Sequence, residues 1–371
     1  MADTFYYSRD TKVHLTDSAG AVYRIPVLDG FSFSQATNVS EVTLNEMATS
    51  AGVSRRARQM FTDSYAPAEW SFSTYIRPFK SGGGDSGGEH AAVAHHMVEE
   101  ALWNALAGSG AVGATGTAIT ADGTDCNVAF TNSNKPALDT FDLFFELGSG
   151  KSNPTIYKIE GCVVNEVTID FDIDGIATAQ WSGFGKIITE ESSMTTATIF
   201  EGTAAADTNN FIRNRLTDLT VTATAAGSIT TAYTLTLIGG NITISNNMTF
   251  LTPETLGSIN QPLGHVTGTR SVTGSFSCYL NTPASGASSA DLFEDIIEST
   301  EVITNDFDLT FVIGGTGNIP RVTMNLNTCH LEVPTHSLDD IVSLTTNFHA
   351  LPTSVDGTDE IDMIFVGPTV T

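Results

Sequence analysis

Basic residues are what this sequence has least of. Its 371 residues hold 16 Lys plus Arg against 42 Asp plus Glu, for a net charge of −26. The acid content is ordinary for the length, so the imbalance is a shortage of base. A salt-adapted protein would show added acid instead. A protein that grips DNA needs a basic patch, because phosphate contacts supply most of that affinity, and this chain lacks the bases to build a large one. A protein that touches DNA without sticking to it is not excluded. The four cysteines (Cys126, Cys162, Cys278, Cys329) show no C-x-x-C spacing, which speaks against a zinc site or a redox motif. They read as reduced, buried thiols of a product made in the cytoplasm. No apolar run approaches the roughly 20 residues of a membrane span. The start, Met1-Ala2-Asp3-Thr4-Phe5, has no basic stretch followed by an apolar one, so no secretory signal is visible.

Catalytic and ligand-binding signatures are missing as well. There is no G-x-S-x-G elbow. Gly82-Gly83-Gly84 has Lys80 before it and no Lys-Ser/Thr after it, so it is no phosphate loop. Asp170-Phe171-Asp172-Ile173-Asp174-Gly175 opens like a calcium loop, but Trp181 stands where the bidentate Glu should be. The flanks alternate instead, with Val167, Ile169, Phe171 and Ile173 on one face and Thr168, Asp170, Asp172 and Asp174 on the other. That pattern predicts a strand with an acidic face. His95 and His96 fall in a predicted helix, where neighbours point apart and share a metal poorly. Carboxylates are too many for any pair to stand out as an acid–base couple. No enzyme, metal or cofactor is expected.

What the chain does have is repetition. Ser71-Phe72-Ser73-Thr74-Tyr75-Ile76 returns as Ser275-Phe276-Ser277-Cys278-Tyr279-Leu280. Tyr23 to Gly30 returns as Tyr233 to Gly240, and Phe141-Asp142-Leu143 as Phe307-Asp308-Leu309. Cys162 has its counterpart near Cys329. The pairs keep one order, which predicts two copies of a β-rich domain, residues 1–205 and 206–371, and suggests symmetric assembly. The expected class is mainly β (α+β): two duplicated β-sandwich or barrel domains, each with one short helix and a long loop. Each copy opens with a hairpin, continues with an alternating strand (Phe31 to Ser34; Ile242 to Ser245), and makes a long irregular excursion (Glu41 to Ala68; Phe250 to Gly268). A helix follows the echoed strand, on the stripes Val93, Met97, Ala101, Leu102, Ala105, Leu106 and Leu292, Phe293, Ile296, Ile297, with Ser289 as a cap. The segment after Pro352 reads as a short appendage.

Arg55, Arg56 and Arg58 put three of the chain's 16 bases within the first excursion. In an acidic protein such a loop either stays solvated or meets an acidic surface of another copy.

From Ala68-Glu69-Trp70-Ser71-Phe72-Ser73-Thr74-Tyr75-Ile76, through Glu166 to Asp170 and Trp181-Ser182-Gly183, to Gly239-Gly240-Asn241-Ile242-Thr243-Ile244-Ser245 and Gly264 to Leu280, the chain resembles siphophage major tail tube proteins. The likeness runs in order over most of residues 10 to 354 and is nearest to the two-domain, trimer-forming kind. The resemblance implies trimeric, pseudo-hexameric rings that stack into a hollow, non-contractile tube for DNA ejection. The chain would be a structural protein of the virion, assembled in the host cytoplasm. Its implied partners are further copies of itself and other tail proteins: tape measure, tip or baseplate, and terminator. DNA would be only a transient passenger, and no membrane would be bound. An extra C-terminal immunoglobulin-like domain, carried by some relatives, is not expected here. The excursion would reach the adjacent ring, giving Arg55, Arg56 and Arg58 a stacking role. Asp170 and Asp172 would line a net negative lumen. The competing reading is a phage or cell-surface β-sandwich adhesin.

Overall fold

A computed structural model describes residues 5–42, 59–82, 92–109, 112, 118–130, 138–151, 153–194, 199–200, 202–223, 232–252, 255–282, 287–298 and 307–370. The chain is mainly β. Copy one begins with β1 (Lys12–Thr16), β2 (Val22–Ile25), β3 (Ser32–Glu41) and β4 (Met60–Tyr75). Two short strands follow, β5 (Pro78–Lys80) and β6 (His95–Met97), then helix α1 (Glu100–Ala107). Next come β7 (Ile119–Ala121), β8 (Cys126–Ala129), β9 (Phe141–Leu147), β10 (Thr155–Asp170), β11 (Thr178–Gly185) and β12 (Ile187–Glu191). The connection holds β13 (Ile199–Phe200) and α2 (Gly202–Ala206). Copy two contains β14 (Asp218–Ala223), β15 (Tyr233–Thr234), β16 (Thr236–Ser245), β17 (Thr249–Leu251), β18 (Gly264–Val266) and β19 (Ser271–Tyr279). It ends with α3 (Ser289–Glu298), β20 (Phe307–Ile313), β21 (Arg321–Leu331), β22 (Thr335–Leu338), β23 (Val342–Ala350) and β24 (Asp362–Val366).

The sequence echo is an echo of pairing. Ladders β1–β2, β1–β9, β9–β10, β10–β12, β10–β11, β11–β4 and β4–β3 make up copy one. They recur in copy two as β14–β15, β14–β20, β20–β21, β21–β24, β21–β23, β23–β19 and β19–β16. Cys162 faces Phe141, and Cys329 faces Phe307. Both thiols donate to the carbonyl three residues back, Ile159 O and Leu326 O. All four cysteines are buried and none is bridged. Burial pushes the Cys329 thiol up to about 12 and the Cys278 thiol up to about 11.

Each copy is a two-layer sandwich. Phe141 and Phe145 of β9 pack on Trp70 of β4 and Phe33 of β3 across the layers. Trp103 of α1 sits edge-on to Trp181 of β11 at 4.8 Å, and Phe311 of β20 lies 5.7 Å from Phe348 of β23. Side chains of this size stabilise by roughly 1.5–3 kcal/mol each when fully buried, so the sandwich interior is where the fold is held. Among the described residues no helix is long and apolar enough to cross a membrane.

Several expectations change. The helix expected from Val93 begins only at Glu100, because His95–Met97 is a strand paired with Pro78–Lys80. Every residue of α1 is buried, so it is a core helix and not a one-faced one. The cap of α3 is Ser288, not Ser289: the Ser288 Oγ accepts from Asp291 N–H while an Asp291 carboxylate oxygen accepts from Ser288 N–H. Ile297 is 51% exposed and leaves the buried stripe. The first excursion is no loop near its base; β3 and β4 stay paired out to Glu41 and Met60. The segment after Pro352 is not an appendage either. It carries β24, whose place beside β21 repeats that of β12 beside β10, and β8 of copy one pairs with its other edge. The two copies therefore share a sheet.

Candidate assembly interface

One continuous layer joins the copies. Its strand order is β3–β4–β11–β10–β16–β19–β23–β22, eight strands with four from each copy. The middle joint, β10 with β16, pairs Glu166 with Ser245, Val167 with Ile244, Thr168 with Thr243, Ile169 with Ile242 and Asp170 with Asn241. Asn165 sits at a bulge in β10, where its backbone carbonyl accepts from Asn246 N–H and its side-chain oxygen from Met248 N–H. Asn246 is itself buried and donates to Leu106 O at the end of α1. The joint is thus sealed by apolar pairs, a ladder and a buried amide.

Strand alternation gives this layer two unlike faces. One packs on the helices and the outer strands. The other is open among the described residues apart from its arm end, where Phe250 of β17 packs on Phe184, and its cross-strand rows are made of polar side chains. One row reads Ser73, Gln180, Thr168, Thr243, Thr273, His349; a second reads Ser32, Ser71, Ser182, Glu166, Ser245, Ser271. A third reads Tyr75, Thr178, Asp170, Asn241, Ser275, Asn347. Hydroxyls bond across strands at Ser32–Ser71 (2.8 Å), Thr168–Thr243 (3.0 Å) and Ser277–Thr345 (2.8 Å). No lysine or arginine stands in these three rows. Burial, helped by the charge of Asp172, raises the Asp170 carboxyl above its ordinary value.

Asp170 is the last residue of β10 and lies on this open face; Asp172 is exposed just beyond the strand end, with its carboxylate beside Gly239 of β16. The strand stops at Asp170, since Ile173 is 46% exposed and the chain turns through Gly175 with φ +147°. Asp172 and Asp174 belong to that exposed turn, and Asp174 lies 3.5 Å from Arg215. The corresponding turn of copy two, between β22 and β23, carries Asp339 and Asp340. Both acidic turns lie at the end of the sheet opposite the β3–β4 arm, because Tyr75, at the far end of β4 from Met60, pairs beside the Asp170 turn. Arg55, Arg56 and Arg58 lie outside the described residues, between the two strands of the arm. The middle joint and the open edges of the layer have no sequence motif; only the duplicated register brings them out.

The family model for phage tail tube proteins matches residues 62–350. The chain belongs to this family. The tail tube protein pb6 of Escherichia phage T5 is 30% identical over 343 residues, a match covering 91% of this chain and 69% of pb6. This tail tube protein is accordingly a structural component of a phage virion, and the adhesin reading is not favoured. The match spans the arm beyond Thr62, the middle joint and all eight strands of the shared layer except β3.

Proposed function

We propose that three copies of this chain close into a ring of six similar domains, and that rings stack into a hollow, non-contractile tube through which DNA leaves the particle. The observation that carries this reading is the eight-stranded layer, with most of its bulk on one face and, on the other, polar rows free of lysine and arginine. Wound into a ring, such a layer has only one possible inside, since the helices and outer strands must lie outward. Three layers of eight strands make 24. At a spacing of ~4.8 Å and a tilt of about 40°, 24 strands enclose a backbone diameter of roughly 48 Å, leaving nearly 40 Å between side chains. A duplex passes through such a bore. Hydroxyls and carboxylates offer its phosphates no cation to hold, so nothing replaces released counterions and nothing traps the strand. Asp170 and Glu166 line this lumen; Asp172 stands at its rim.

Stacking follows from the two unlike ends. The arm that carries Arg55, Arg56 and Arg58 leaves one end, and the turns with Asp172, Asp174, Asp339 and Asp340 close the other. Basic tips meeting acidic turns of the next ring would set the polarity of the tube. Other tail proteins, a tape measure, a terminator and a tip complex, complete the assembly. Electron microscopy of the purified protein tests the whole reading: stain-filled tubes or stacked rings are expected. Arg55→Glu/Arg56→Glu/Arg58→Glu should give rings that no longer stack, and normal tubes from that variant would remove the stacking role.

A further inference from the structure

A groove that stands open on copy two is filled in copy one. It measures about 730 Å3 and is lined by Tyr279, Ser343 and, from the β22–β23 turn, Leu338, Asp339 and Ile341. Both aliphatic side chains are exposed, Leu338 at 80%. Tyr75 is the copy-one counterpart of Tyr279, since Tyr75 faces Thr178 as Tyr279 faces Ser343. Here the chain's own connection occupies the place. Phe211 stands edge-on to Tyr75 at 5.2 Å, and Ile212 O accepts from Ala177 N–H. Arg213 bridges to Ile176, and Arg215 lies 3.5 Å from Asp174. Counted back from β11 and β23, Ile341 is the counterpart of Ile176, and Asp339 that of Asp174. The hydrogen bond from Ile76 N–H to Ala177 O returns as Leu280 N–H to Val342 O and fixes that count.

The segment that fills copy one has its own double ahead of β1. Leu15 faces Tyr23 and Leu143 as Val221 faces Tyr233 and Leu309, which sets residue 5 against 211 and residue 9 against 215. Both segments end in one turn of 3-10 helix, Ser8–Asp10 and Asn214–Leu216. Thr11 N–H donates to Ser8 O as Thr217 N–H donates to Asn214 O. Phe5-Tyr6-Tyr7-Ser8-Arg9 thus repeats Phe211-Ile212-Arg213-Asn214-Arg215, with the aromatic ring and the arginine at the two positions the filled groove uses. The surroundings differ. Ile212 is fully buried, whereas Phe5 is 70% exposed and Tyr6 and Tyr7 are exposed beside it. The segment is still held in place: Lys151 donates to Phe5 O and lies 5.2 Å from the rings of Tyr6 and Tyr7, and the Tyr6 hydroxyl donates to Asn153 O.

We infer that Phe5–Arg9 of one copy docks in the Tyr279 groove of the neighbouring copy, with Phe5 against Tyr279, Tyr7 over Ile341 and Arg9 beside Asp339. The inference rests on the ring reading. Within the chain this contact runs from copy two onto copy one, so its two unused halves fall on the two free sides of the molecule. The charges agree in sign, a basic segment meeting an acidic turn. The pair of Arg215 and Asp174 is solvent-exposed, and exposed ion pairs contribute little. Burial of the aromatic rings therefore supplies the binding, and Arg9 with Asp339 sets its register. The one departure from the inner contact is compensated. Seven residues lie between Asp170 and Thr178 but five between the equivalent Ser337 and Ser343, so copy two has the shorter turn; Tyr6 is correspondingly larger than Ile212.

Benzoylphenylalanine in place of Phe5 tests the contact in assembled tubes. Irradiation should join chains to one another on a denaturing gel, and the joined peptides should carry Tyr279 or residues 338–343. The same probe in place of Tyr7 repeats the test if the first variant does not assemble. Tubes in which the probe joins other segments, or only its own chain, would overturn the docking and leave the ring reading intact. Phe5→Ala/Tyr7→Ala should leave the urea midpoint of the free chain unchanged, since both rings are exposed there. The same variant should raise the concentration needed for tube formation by about tenfold or more, as loss of buried aromatic anchors does. Tubes at the wild-type concentration would overturn the docking. A wild-type protein that forms neither rings nor tubes would instead defeat the ring reading itself.

Discussion

Replacing Gln180 by Lys puts three ammonium groups into every proposed ring at one level of the bore. Gln180 is exposed on the bare face, between Ser73 and Thr168, so the change touches no packed side chain. A lysine about 4 Å from a phosphate gains ~1 kcal/mol where the surroundings are as polarisable as water. Screening over ~8 Å at physiological salt limits each ammonium to the nearest phosphates. Contacts broken as DNA advances are partly remade at the next phosphate, and a bore of about 40 Å lets the duplex meet one of the three lysines at a time, so the roughness per step is at most ~1 kcal/mol. That corresponds to up to about 5-fold slower passage. The assay is triggered ejection from particles rebuilt with the variant tube, followed by dye fluorescence on released DNA. The delay should shrink as salt rises, and Gln180→Glu should eject at the wild-type rate. Normal tubes carrying Gln180→Lys that eject at the wild-type rate in low salt would refute the argument that this face is the lumen.

Other expectations concern the fold that holds this face. A Cβ on Gly274 would lie 2.2 Å from Asn241 O and 2.5 Å from Phe348 Cζ, so Gly274→Ala should lower stability by ~1–3 kcal/mol through overpacking, read as a fall in the urea midpoint. Glu99 is buried under the Arg77 N–H and the Trp103 indole N–H, and burial raises its carboxyl to about 7 from 4.5. The folded state therefore holds this proton more tightly than the unfolded chain, so stability should fall as pH rises from about 4.5 to 7. The loss is at most ~3 kcal/mol, and Glu99→Gln should flatten that slope when midpoints are compared at pH 5 and pH 8.

The duplication was legible because strands repeat their apolar spacing even where identities drift. Phe141-Asp142-Leu143 and Phe307-Asp308-Leu309 keep the same two-residue period against the same partner strands. The shared layer was not legible, because hydrogen-bond partners far apart in sequence leave no periodic trace. Nor was the unity of β10: the bulge at Asn165 inverts the alternation, and an inverted phase reads as two strands. The end of that strand was not legible either: the apolar pattern continues through Ile173, while the chain turns through Gly175 at φ +147°. The helix from Val93 failed because three residues, His95–Met97, found strand partners in Pro78–Lys80, and that tertiary pairing outweighs helical spacing.

The two copies have also diverged in a correlated way, and the divergence bears on how a ring closes. In copy one Trp70 stands opposite Gly183; at the equivalent positions of copy two Gly274 stands opposite Phe348. The large and small partners have changed strands, and each glycine is filled from across the ladder by the other's ring. Such an exchange preserves volume while the sequences part, so the two copies keep equivalent packing at this level of the layer. Their edges have not remained interchangeable. The joint inside the chain has Val167, Ile169 and Ile242 with Asn246 sealing its end, and it forms at the high effective concentration of a tethered partner. The two outer edges of the layer, β3 with Phe33 and β22 with His336, have no strand partner among the described residues. In the proposed ring, fusing two domains would make half of the six contacts permanent and leave only three to wait for assembly.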